Sequence, residues 1–131
     1  MKMSPIGIGN EIHDIGLLLK YNPGAFAQYL NRARLTEDAL LDWRKHYPAD
    51  VWLAKDAYLM ARVDAMFYDK ESHSRAVALM IWVAEKFPQT PYGYNARGQL
   101  RRGHIVPLYP MPETPPTPPP TPAARPEATP T

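Results

Sequence analysis

Apolar residues recur every three or four positions along most of this chain, and polar clusters carrying proline or glycine interrupt them. Ile8, Ile12, Ile15 and Leu19 make the first stripe, the spacing of one face of an amphipathic helix. Lys20-Tyr21-Asn22-Pro23-Gly24 ends it, because proline pushes the residue before it out of the helical region. A short second helix is expected from Ala25 to about Arg34, with Phe26, Tyr29, Leu30 and Ala33 on one side. Thr36 reads as the N-cap of a third, with Glu37 and Asp38 favoured by the dipole in its first turn. Leu40, Trp43 and Tyr47 form its stripe, and Tyr47-Pro48 stops it. Asp50 is placed to cap a fourth helix running to about Tyr68. Asp69 is suited to capping at the polar break that follows. A fifth helix then carries Ala76 to Ala84, apolar on every side, which predicts a central, fully buried helix. It stops at Phe87-Pro88, and a last helix from Tyr92 to Arg102 closes at Gly103, a C-cap residue.

Three of these stops share one form. Tyr21, Tyr47 and Phe87 each follow a lysine-bearing turn and precede a helix-ending proline, and an aromatic opens the next segment at Phe26, Trp52 and Tyr92. The pattern predicts an all-α stack of antiparallel helical hairpins with five or six helices, in which those three stop aromatics are buried against the next helix. The stretch from Ala76 through Met80 and Val83 to Pro88, with the junction Ala84–Leu100, resembles a degenerate tetratricopeptide repeat over about residues 71–102. That resemblance implies that Ala76 is the small residue letting two helices approach, that Pro88 ends a repeat, and that the chain binds other proteins. The helix before it lacks the family's tryptophan-leucine-glycine signature.

Composition divides the chain in two. Of 16 prolines, eleven lie in residues 107–131. Residues 1–106 have the apolar content for one core, and 107–131 read as a disordered or polyproline II tail. Pro112, Pro115, Pro116, Pro118, Pro119, Pro120 and Pro122 would make it a spacer of ~60 Å reach or a ligand for an aromatic groove.

Charge changes the picture locally rather than in total, which is only +2. No acidic residue falls between Glu85 and Glu113, while Arg97, Arg101 and Arg102 do, with His104 beside them. Tyr92, Tyr94 and Tyr109 lie close by in sequence. The candidate surface is therefore Tyr92, Tyr94, Arg97, Arg101, Arg102 and His104, serving a protein partner or, as the alternative, nucleic acid.

Chemistry is thin. The absence of cysteine excludes disulfides, thiolate metal sites and thiol nucleophiles. No serine sits in a nucleophile elbow, and Gly7-Ile8-Gly9 has neither the strand nor the third glycine of a phosphate loop. Asp38, Asp42 and His46 share a helical stripe that could hold a divalent cation, but a solvated face is the simpler reading. No catalytic residue, metal site or cofactor is expected. No signal peptide is visible and no apolar run is long enough to span a membrane, which makes the cytoplasm the default compartment. The expectation is a non-enzymatic interaction or assembly subunit of a larger complex of the secretion, envelope or virion kind.

Overall fold

A computed structural model describes residues 3–116 and holds five α-helices. They are α1 (Pro5–Tyr21), α2 (Phe26–His46), α3 (Val51–Asp64), α4 (Lys70–Lys86) and α5 (Pro91–Arg102), with a 3-10 turn at Pro23–Ala25. The described residues contain no strand, and the helices fold back on one another as antiparallel hairpins.

Side-chain caps start four of them. Ser4, Asp50, Asp69 and Thr90 accept from the N–H of Gly7, Trp52, Ser72 and Gly93 respectively, each satisfying a donor that a helix start leaves open. Gly103 closes α5 at φ 71°, a conformation glycine adopts without a Cβ penalty. The other stops are the prolines. Asn22, Tyr47 and Phe87 are the residues immediately before proline, and each is a C-cap with φ near −130° and its N–H bonded four residues back. Proline sterics alone produce that repeated geometry.

The aromatics are not needed for it, and two of the three expectations about them fail. Tyr21 and Tyr47 are 70% and 66% exposed; Phe87, at 8%, packs edge-on to Trp82. Tyr21 instead lies under the ammonium of Lys20.

Two further expectations are corrected. The second and third predicted helices are one, α2, running through Leu35 and Thr36 without a break. Thr36 is buried and caps nothing; its hydroxyl donates to the Arg32 carbonyl one turn back, which lets a cap-type residue sit inside a helix. The central helix is α3, not α4. Leu53, Ala54, Ala57, Tyr58, Met60, Ala61 and Val63 are all buried, and α3 touches every other helix. Val77 and Ile81 of α4 are exposed, because the α4 backbone lies close only to α3 and α5.

Past residue 106 the chain continues along the bundle as a strap. The Arg62 guanidinium donates to the carbonyls of Val106 and Pro107, and the Leu108 N–H donates to the Arg62 carbonyl. Gln99 ties it from the other side, accepting from the Val106 N–H and donating to the Tyr58 hydroxyl. Leu108 and Tyr109 then cover Gly16 of α1, and the Tyr68 hydroxyl donates to the Pro112 carbonyl at 2.8 Å.

The α4–α5 hairpin turns so tightly that Gly93 faces the Phe87 carbonyl; a Cβ there would lie 1.9 Å from that oxygen. Gly93→Ala must push the hairpin apart, and we expect a loss of about 1–3 kcal/mol in urea denaturation. At Gly98 the nearest atom to an added Cβ is the end of the Arg102 side chain at 3.5 Å. Gly98→Ala should therefore gain about 0.5–1 kcal/mol from helix propensity. Equal effects of the two substitutions would refute the close-approach reading of Gly93.

Candidate functional site

Three features carry chemistry: a buried acidic pair, an aromatic groove and a basic helix face.

The acidic pair follows from the layout of the core. No Cα of α2 lies within 8 Å of one in α4, so side chains must bridge the space beside α3. Arg34 donates to Asp69 at 2.8 Å and to the Ser72 hydroxyl at 3.0 Å, and reaches Glu71 at 3.2 Å. Arg75 approaches Glu37 at 3.8 Å, and Arg44 lies over the Trp82 ring. Beneath these arginines Glu37 and Asp64 are 2% and 0% exposed. With both ionised, neither oxygen of Asp64 would have a donor. Burial, then the hydrogen bond and charge of Glu37, push the Asp64 carboxyl well above its usual range, against the pull of Arg75 and Arg34. Burial and the neighbouring Glu37 thus favour the protonated form of Asp64. At Asp69 burial raises the carboxyl, but bonds from Ser72 and the charge of Arg34 outweigh it, and the net shift is downward. The pair has no exposed face for a substrate and works as a structural tie.

The groove lies at the opposite end of α3. One lobe, ≈650 Å³, runs from Met3 and Pro5 past Leu35 to Asp38, Asp42, Trp43, His46 and Tyr47. A second, ≈780 Å³, shares Pro5, Trp43 and Asp50 with it and continues past Asn10 and His13 to Trp52, Lys55 and Asp56. Trp43 is held as the floor by its indole N–H, which donates to Asp50 at 3.2 Å. The rim is unusually apolar for a surface: Ile6 is 78% and Trp52 69% exposed, with Leu35 and Tyr47 also open. Asp56, partly buried beneath Gly9, is raised to about 6 by loss of solvent, against the lowering charge of Lys55.

Asp38, Asp42 and His46 line the first lobe. His46 Nδ1 is 2.9 Å from the Asp42 carbonyl oxygen and 3.8 Å from its carboxylate. No set of three or more carboxylate or imidazole groups converges as a metal site among the described residues.

The predicted basic surface is brought together only in part. Arg97, Arg101 and Arg102 stand exposed on α5 with Tyr94 and line a small cleft of about 170 Å³. His104 is exposed just past the helix. Tyr92 turns inward against the Tyr58 ring, 5.8 Å between centroids. Tyr109 leaves the arginines altogether and packs on α1, under the ammonium of Lys20. In the tail, Pro112, Pro115 and Pro116 are described, and Pro112 is the carbonyl held by Tyr68. Pro118, Pro119, Pro120 and Pro122 lie outside the described residues. No helix among the described residues is long and apolar enough to cross a membrane.

Comparison with protein-family models, curated proteins and solved structures found no match.

Because Asp64 binds its proton more tightly folded than unfolded, it makes stability fall as pH rises from its ordinary value of 3.8 towards its folded value. Asp64→Asn keeps a donor for Glu37 and cannot ionise. Its urea midpoint should change less between pH 5 and pH 8 than that of the native chain. Parallel pH profiles would show that Asp64 is ionised in the fold.

Proposed function

We propose that this protein is a non-catalytic interaction subunit that docks onto a protein partner through the groove floored by Trp43. The observation that carries the reading is the exposed apolar rim of Ile6, Leu35, Tyr47 and Trp52 around one concave surface. Large apolar side chains clustered in contact with water around one concavity mark a surface that a partner covers. Its aromatics are the residue types that dominate binding energy at such sites. The resemblance of residues 71–102 to tetratricopeptide repeats fits the same reading: Ala76 is buried in the core and Pro88 directly follows the α4 C-cap.

One observation favours a second reading. Arg97, Arg101 and Arg102 form an exposed basic face with an aromatic in it, the arrangement used to grip a single-stranded nucleic acid. That binding would weaken steeply with salt.

The test is a pair of variants expressed in the native source and recovered with their partners. Trp52→Ala with Tyr47→Ser removes two exposed rings, so melting should be unchanged within the ~0.5 kcal/mol typical of surface changes. Partner affinity should fall by ~30-fold or more. Arg97→Ala with Arg101→Ala should leave a groove-bound partner in place and abolish nucleic-acid binding, if any. Recovery of the same partners at the same yield with the ring-deleted groove would overturn the proposal.

A further inference from the structure

Trp52 and Asp56 stand four residues apart on α3, so their side chains are neighbours on one helix face, with Cβ atoms about 5–6 Å apart. Both line the ≈780 Å³ lobe of the groove, together with Trp43 and with Gly9 and His13 of α1. The two carboxylates of this lobe differ in what they already hold. Asp50 is committed to the fold: its oxygens accept from the Trp43 indole and from the Trp52 N–H. Asp56 is not. None of the ion pairs among the described residues involves it, and no hydrogen bond among them reaches its carboxylate. It lies instead against α1 at Gly9, where a Cβ would be 3.4 Å from each of its oxygens. There the carboxyl loses solvent and gains no donor in return. That burial, helped by the charge of Asp50 and opposed by Lys55, is what raises it to about 6.

The cation next to it in sequence does not fill the gap. Lys55 holds its ammonium over the Trp52 ring, 5.8 Å from the centroid, and makes no ion pair with Asp56. The ring thus already attracts a positive charge, while the carboxylate one turn further on lacks one. A group that satisfies both must be cationic, flat enough to stack on an indole, and able to donate several N–H bonds beyond it. A guanidinium has those properties, being planar, weakly hydrated and forked to fit a carboxylate. An ammonium is a compact, strongly hydrated point charge that meets the ring or the carboxylate.

Resting on the interaction reading above, we propose that Trp52 and Asp56 form the socket for an arginine side chain of the protein partner. The guanidinium stacks on the indole and donates to the carboxylate. Lys55 is a place-holder, and its flexible stem lets it withdraw when the arginine arrives. Arginine is also among the residue types that carry most binding energy at protein interfaces.

The test is a titration of the full chain with a capped glycine-arginine-glycine tripeptide, read by NMR from the indole N–H signals of Trp43 and Trp52. The signals should shift saturably, with a dissociation constant of about 1–10 mM for a single side chain. Asp56→Asn should weaken binding about tenfold, the loss of one charged hydrogen-bond acceptor. Lys55→Ala should strengthen it roughly threefold, because the resident cation no longer competes. The citrulline tripeptide has the same shape without the charge and should bind about tenfold more weakly. Asp56→Asn should also raise the urea midpoint at pH 8, where the raised carboxyl is ionised at the expense of the fold. A lowered midpoint would mark Asp56 as a structural group and overturn the proposal. Equal affinity for arginine and citrulline overturns it too, as does a lysine tripeptide that binds as tightly or a Lys55→Ala chain that binds arginine less well. A photo-crosslinker at Leu35, in the other lobe, separates the socket from the partner. A protein captured by the native chain should be recovered about tenfold less with Asp56→Asn. Capture at equal yield overturns the arginine contact and leaves the interaction reading standing. No cross-linked protein from either chain sinks the interaction reading, and the tripeptide titration then decides the socket by itself.

Discussion

α3 buries more side chains than any other helix, and three of them, Ala54, Ala57 and Ala61, are alanines that let neighbouring helices come close. Water has to be removed from most of the circumference of such a helix, which takes four neighbours rather than one or two. α1, α2, α4 and α5 are those neighbours. Each needs only a single apolar stripe, and the rest of its circumference is left for other uses. The apolar groove at the start of α3 and the basic face of α5 both exist because the outer helices are half-committed in this way.

Enclosing one helix has an electrostatic cost. The backbones of α2 and α4 flank α3 without approaching each other, and the space between them is bridged by arginines and carboxylates. A buried ionic cluster of this kind adds little net stability compared with an apolar filling of the same shape. It does specify the arrangement, because a slipped helix would strand a charge in the interior. The upward shift of Asp64 favours its neutral form, which lessens the charge that the seam has to solvate.

Local structure was legible in the sequence wherever a residue acts on its own neighbours. The caps at Asp50 and Asp69, the pre-proline stops and the Gly103 terminus are all interactions within four residues. What depends on distant parts of the chain was hidden. Thr36 resembles a cap because capping and back-bonding use the same hydroxyl, and only burial against other helices selects between them. α4 looked central because Ala76 to Ala84 is apolar throughout, yet alanines pack as well on an outer helix. Glu37 and Asp64 are far apart in sequence, and no spacing rule pairs them. The groove did leave a trace. Ile6, Leu35 and Trp52 are apolar residues out of phase with the buried stripes of their helices, and such surplus is the signal of a surface kept for something else.

The strap after Gly103 has a consequence for the order in which the molecule is made. α1 leaves the ribosome before the other four helices, but its Gly16 notch is covered by Leu108 and Tyr109, which are synthesised after all of them. Most other contacts join helices that are neighbours in the chain and can form as they emerge. The nascent bundle therefore waits with one seam of α1 open, and closes only when the strap has been made.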